Sequence, residues 1–348
     1  MKLFAILVIA ICLTACGKME RSSFETASPV GGGMIMGLIQ TIPLQSVQGR
    51  IDHLSIDLKG QRLFIAALGN NTVEIVYLTA SKVIYSISGL REPQGIVFVP
   101  EFNKIFVEEG EGGTCEIFDS NTFQLVDRLE LSSDADNVRY EANSKLVYVG
   151  YGDGGLSLID ASTDKVLGNI QLDGHPESFQ LESLGSRIFV NIPSANQIAA
   201  ADRLQKKVVA KWPVSGASAN YPMALDENQH RLFVGFRSPA NLNVYDTETG
   251  KLITTVDTVG DVDDIFFDAA HKMIFVIGGE GYVDIVSQQD ADHYERMTRI
   301  PTSSGARTGL WVPELNRLYV AIPHPAPQQA EIRVYARKDT KRAEFHTR

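Results

Sequence analysis

Carboxylates, amides and two histidines recur along this chain at a spacing that would bring them to one place. His53, Glu92, Gln94, Asp136, Asn137, His175, Glu177, Tyr221, Asp263, Asp264 and Arg307 stand in seven short segments, each just ahead of an apolar run and roughly forty residues from the next. Converging oxygens of this kind are hard ligands suited to Ca²⁺ or Mg²⁺, and His53 or His175 would add a nitrogen for Zn²⁺ or Mn²⁺. His53, Asp136, Glu177 and Asp263 form the candidate metal set, and a cation there could polarise a carbonyl or acidify a water in a hydrolase or lyase. The same groups also suit a polar, acidic recognition surface for a small polar or cationic ligand or a protein partner. Taken singly, Asp136, Asp263 or His175 suits a turn or core support better than a site, because Asp and Asn at strand entrances accept backbone N–H bonds. His53 and Arg307 differ from their counterparts in other segments, which marks them as site candidates.

Assembled catalytic motifs are absent, which makes a binding or scaffold module the leading reading and the metal-dependent hydrolase or lyase the alternative. The chain has no Gly-x-Ser-x-Gly elbow, no His-Glu-x-x-His, no Cys-x-x-Cys and no haem-attachment motif. Gly110-Glu111-Gly112-Gly113 and Gly152-Asp153-Gly154-Gly155 lie between strands with no helix following, so they read as turns and not as phosphate cradles.

The spacing of these segments comes from a repeat. A short apolar strand headed by a basic residue starts at Arg62, Lys104, Lys145, Arg187, Arg231, Lys272 and Arg317, at intervals of 42, 41, 42, 44, 41 and 45 residues. A period of this length with several strands per unit is that of a β-propeller, one blade per repeat. The unit over residues 217–256 runs Met223–Leu225, the strand Arg231–Phe236, a Ser-Pro-Ala-Asn loop, Leu242–Tyr245, a turn, and Leu252–Val256. That predicts four strands rich in β-branched and aromatic residues, and no stretch shows a helical period. Asp57, Asp226 and Asp268, and likewise Asp119, Asp160 and Asp246, repeat with the blade and read as turn residues. The last repeat stops after Ile332–Tyr335, one strand short, and Ile39–Leu44 resembles the fourth strands elsewhere, so the sequence predicts that it completes blade seven. The expected fold is an all-β, seven-bladed propeller of four-stranded antiparallel blades, over residues 38–337.

In a propeller the loops leading into the inner strands share one face with those joining second to third strands. The latter add Glu108, Glu109, Asp153, Arg237 and Glu280, among others, and the rim is expected to be an acidic funnel.

The headed strands, with Leu318-Tyr319-Val320 and Phe189-Val190-Asn191 as the nearest matches, resemble the YVTN-type β-propellers, a group that includes the YncE-like proteins. The resemblance covers residues 40–337 and implies a seven-bladed fold. It implies little about activity, because members bind diverse partners.

The N-terminus carries an address. Lys2 precedes an unbroken apolar run from Leu3 to Leu13, and Leu13-Thr14-Ala15-Cys16 looks like a bacterial lipobox. Eleven apolar residues are too few to span a bilayer, so residues 1–15 read as a lipoprotein signal peptide with Cys16 as the lipidated mature N-terminus. Gly17, standing where an Asp would signal retention in the inner membrane, points to the periplasmic face of the outer membrane of a Gram-negative host. Residues 16–37 read as a tether and 338–348 as a basic tail. Cys115 is the only cysteine beyond Cys12 and Cys16, so the mature domain forms no intramolecular disulfide. The formal charge of −10, which becomes −11 without Lys2, argues against nucleic acid as a partner.

Overall fold

A computed structural model describes residues 36–152, 154–324 and 329–337. Residues 1–15, expected as a signal peptide, and Cys16, Asp153 and the C-terminal tail therefore lie outside the described residues.

The described chain is all β. Twenty-eight strands form seven four-stranded antiparallel sheets, six of them built from four strands consecutive in sequence. The first strands of the blades are Leu54–Asp57, Pro93–Val99, Ala135–Glu141, Phe179–Leu181, Ser218–Asp226, Val262–Asp268 and Gly309–Val312. Each packs against the first strand of the next blade, and Gly309–Val312 packs against Leu54–Asp57, so the inner strands form a ring. The seventh sheet orders its strands as Gly309–Val312, Arg317–Ile322, Ala330–Arg337 and Met36–Leu44, with Ile42 opposite Ile332 and Thr41 opposite Arg333. Among the described residues there is no α-helix. Three single 3₁₀ turns stand at Leu68–Asn70, Pro193–Ala195 and Pro313–Leu315.

The cores lie between blades, because each sheet buries both faces of its second and third strands. Phe64, Val73 and Ile75 of blade one meet Ile96, Ile105 and Val107 of blade two, and Phe275 and Ile285 of blade six meet Leu318 and Val320 of blade seven. The fourth strands are the most exposed of each blade: Ile87 is the one buried residue of Lys82–Ser88, and Leu125–Glu130 has none. In blade five the structure differs from the loop expected at Ser238–Asn241. Arg237 pairs with Ala240 in the ladder, so the connection shrinks to a tight turn about Pro239 and both strands lengthen.

The repeated basic residue is explained by what it touches. Arg231 donates from Nε to the Ala291 carbonyl at 2.8 Å and from Nη2 to Asp292 at 2.7 Å, both in the next blade. Arg187 reaches the Thr247 carbonyl at 2.7 Å and Glu248 at 2.6 Å, Lys104 reaches Asp164 at 2.7 Å, and Arg62 reaches the Ser120 carbonyl. In these four blades the head of the second strand ties its sheet to the following one. The repeated aspartates hold turns: Asp119, Asp160 and Asp246 each accept from the backbone N–H groups two and three residues on, and Asp57 accepts from Gly60 at 2.8 Å.

Candidate functional site

Local irregularity re-aims the side chains that gather at the site. The pairing between first and second strands slips between Pro93 and Ile96, between Ala135 and Val138, between Asn220 and Met223, and between Val262 and Asp264. A bulge adds a residue to one strand and re-aims what it carries. Asp136, Asn137, Tyr221 and Asp263 all sit in these slips, at the same place in their blades. Blade one contributes through Asp52 and His53, whose backbone N–H groups donate to Ala66 at 2.8 Å and to Gln94 of blade two at 3.3 Å. Thr308 Oγ1 donates to the Ile51 carbonyl at 3.0 Å and ties blade seven to this segment.

The result is a small pocket of about 20 Å³, lined by Arg50, Asp52, His53, Asp136, Asn137, Glu177, Ser178, Tyr221 and Asp263. That volume suits one water-sized group. All four residues of the candidate metal set line it. Among the described residues, however, no three His, Cys, Asp or Glu side chains are arranged to hold one ion, so the metal-dependent reading has no coordination geometry behind it. Arginines already approach two of the carboxylates, Asp52 and Asp263. Arg237 donates from Nη2 to Asp263 Oδ1 at 2.6 Å while its guanidinium lies 4.1 Å above the Tyr221 ring. Arg50 approaches Asp52 at 2.8 Å, without hydrogen-bond alignment, and Asp263 at 3.6 Å.

Burial at the mouth shifts the titrating groups. Burial, then Asp52, Glu177 and Asp263, push the Asp136 carboxyl well above the usual carboxylate range, with His53 pulling the other way. Burial and the Asp263 carboxylate raise Glu177 to about 7 against the pull of His175 and Arg237. Asp263 rises to about 6, again through burial, with Asp52 and Asp264 adding to it and Arg237 and Arg50 opposing. His53 loses charge stability through burial, yet Asp264, Asp52 and Asp136 overcome this and raise it to about 10. A protonated His53 needs an acceptor at Nε2. The Asn137 amide lies 3.1 Å away, and turning it over presents Oδ1, which is buried and has no hydrogen-bond partner, to that N–H.

Other expected site residues lie elsewhere. Asp264 points along the channel, with Oδ1 3.7 Å from His53 Nδ1 and Oδ2 accepting from the Gly309 N–H at 2.8 Å. His175 and Gln94 stand on the rim: His175 Nδ1 meets the Gly152 carbonyl at 2.9 Å, and Gln94 Nε2 donates to Asp134 at 3.1 Å. Glu92 occupies a left-handed turn with φ 51°, its N–H donating to Asn71. Arg307 pairs with Asp261 at 3.0 Å. These five are not among the residues lining the pocket. Glu108, expected at the face, is instead fully buried inside blade two. Sequence reasoning passed over Arg50, Asp52 and Ser178, though all three flank residues it selected. The signal for Arg50 was its position beside two carboxylate-bearing loops, which need a counter-charge.

The architecture defines the class: a seven-bladed propeller with a polar pocket at one end of its axis. No family model matches the chain. The chain is 24% identical over 260 residues to the protein YncE of Salmonella typhimurium, covering 70% of this chain and 67% of that one, and YncE of Salmonella typhi matches to the same extent. YncE is a YVTN-type propeller protein, so the chain is distantly similar to that group. Among solved structures, a chain of Kuenenia stuttgartiensis hydrazine synthase aligns with a TM-score of 0.72 at 15% identity, over 83% of this chain and 98% of that one. A chain of the mitotic checkpoint complex aligns with a TM-score of 0.73 at 13% identity, over 96% of this chain and 99% of that one. Identities this low speak for the fold alone.

Proposed function

We propose that this protein is a lipid-tethered binding propeller of the cell envelope, whose acidic channel mouth takes the cationic group of a small polar ligand or of an envelope protein. The observation that carries the reading is the gathering of Asp136, Glu177 and Asp263 into one pocket where burial and mutual repulsion favour their protonated forms. A cation entering there stabilises the ionised carboxylates and releases protons, so binding and proton release are linked. The pocket has room for an ammonium-sized group and little more, which makes the remainder of the ligand an occupant of the rim. The lipobox-like Leu13–Cys16 and the formal charge of −10 support the membrane-tethered setting and a partner other than nucleic acid.

Calorimetric titration with putrescine as probe, near pH 6 in two buffers of different ionisation heat, tests the mouth. The expected result is saturable binding with net proton release, lost in the variant carrying Asp136→Asn and Asp263→Asn. A folded wild-type protein that takes up no putrescine would overturn the cation reading. The tether is tested by Cys16→Ser, which should move the protein from the membrane to the soluble fraction, since the lipid supplies the apolar attachment. Retention of that variant on membranes after high-salt washing would count against lipidation.

A further inference from the structure

Next to the mouth pocket, and sharing His53 with it, the channel widens into a cavity of about 340 Å³. Five blades line it with apolar side chains: Leu54, Val97, Val138, Phe266 and Leu310. Three charged side chains reach it, His53, Asp264 and Arg139. Asp264 is committed to His53 and to the Gly309 N–H, so those two charges offset each other.

Arg139 has no such partner. Its Nη1 donates to the Val138 carbonyl at 2.8 Å, and its guanidinium lies 5.6 Å from the Phe179 ring, which fixes the head group in place. Among the described residues its Nε and Nη2 make no hydrogen bond and no carboxylate comes within ion-pair distance. The polar groups nearby are used elsewhere: Gln180 Nε2 donates to the Met223 carbonyl at 2.9 Å, and Ser55 Oγ accepts from the Phe98 N–H at 2.9 Å. Burial works against the charge on Arg139, with Asp264 and Asp136 favouring it from farther away. The Nε–Nη2 edge of this part-buried guanidinium is therefore open to the cavity and free to bind an occupant.

We infer that the channel cavity holds a small amphipathic carboxylate, its two oxygens forked onto Nε and Nη2 of Arg139 and its apolar body against Leu54, Val97, Phe266 and Leu310. The free Nε–Nη2 edge of a guanidinium matches a carboxylate in two parallel charge-assisted hydrogen bonds. The cavity lies at the small end of ligand sites, which suits a molecule the size of hexanoate. This anion site rests on Arg139, whereas the cation-binding mouth rests on Asp136, Glu177 and Asp263.

Full-length protein is titrated calorimetrically with hexanoate, with hexanol (the same body without charge) and with inorganic phosphate (charge without a body). Hexanoate should bind one to one, with hexanol and phosphate each at least about tenfold weaker. Arg139→Met should weaken hexanoate at least about tenfold and leave hexanol unchanged, in a protein whose circular dichroism and melting match the wild type. Should Arg139→Met fail to fold, Arg139→Lys decides: it keeps the charge but loses the fork, and hexanoate affinity should fall at least about threefold. The inference is overturned if folded wild-type protein binds no hexanoate, or if hexanol or phosphate binds as tightly. It is equally overturned if the folded Met variant, or the Lys variant where the Met variant does not fold, binds hexanoate as the wild type does.

Discussion

His53 Nδ1 stands 3.7 Å from Asp264 Oδ1, and the other oxygen of that carboxylate holds the Gly309 N–H at 2.8 Å. One side chain of blade six thus meets blade one and blade seven across the axis. The contact joins a charged histidine to the ring of inner strands, so the charge state of the mouth and the packing of the blades are linked.

Asp264→Asn removes the carboxylate that does most to overcome burial at His53. With His53 raised from 6.5 to about 10 in the folded protein, its contribution to stability is complete below pH 6.5 and is lost as pH rises toward 10. In the variant, burial is opposed only by Asp52 and Asp136, so His53 should titrate at least about one unit lower. Imidazole nitrogen shifts followed by NMR across that range provide the measurement. A histidine still titrating near 10 in the variant would show that Asp264 is not what holds its proton.

Glu108 governs a second pH effect. It is fully buried, both carboxyl oxygens lack a hydrogen-bond partner, and its cross-strand neighbour Cys115 offers only a weak thiol contact. Burial, with Glu109 adding to it, raises this carboxyl to about 8 from 4.5. The folded state therefore keeps a proton that the unfolded chain releases, and stability falls as pH climbs from 4.5 to 8, by up to about 1.4 kcal/mol per unit. Glu108→Gln should remove that slope. Urea midpoints at pH 5 and pH 8 should show the variant gaining on the wild type by roughly 3 to 4 kcal/mol between the two. A constant difference at both pH values would exclude an ionising Glu108.

Arg231 ties blade five to blade six through the Ala291 carbonyl and Asp292, and also pairs with Asp246 at 2.9 Å within its own blade. Arg231→Met keeps the stem and deletes every one of these bonds. It should cost about 2 kcal/mol in chemical denaturation, because the Ala291 carbonyl and a charged partner lose their donor at a half-buried site. A loss under about 0.5 kcal/mol would mean that apolar packing between blades suffices without the tie.

Ile42 is fully buried opposite Ile332 and packs in the core shared by blades seven and one. We expect the N-terminal strand to close the ring. Ile42→Asp should then cost more than about 3 kcal/mol, since it places an unpaired carboxylate in that core. Deleting residues 38–45 should lower the melting temperature further and promote aggregation through the exposed edge. Unchanged melting in both variants would mean that blade seven is stable with three strands.

What the sequence determined by itself is the blade count and the turns held by the repeated aspartates. Those are local properties: a strand of four apolar residues, a basic head and a turn aspartate sit within one repeat, and periodicity alone reveals them. The meaning of the basic head was not legible, because its partner lies about sixty residues downstream in another sheet. His53, Asp136, Glu177 and Asp263 could be selected together because a ring of like units sends equivalent loops to one end of an axis. Which neighbours join them depended on tertiary structure. Slips of pairing at Asp136 and Asp263 aim those carboxylates inward, whereas Gln94, in an equivalent slip, turns to Asp134 on the rim. Arg50 and Arg237 fill the space among the acids, and Arg139, an ordinary strand arginine in the sequence, becomes an unpaired charge only once seven strands close around it. Sequence spacing sets which loops face the axis; burial and the counter-charges that the closed ring supplies set what each side chain can do there.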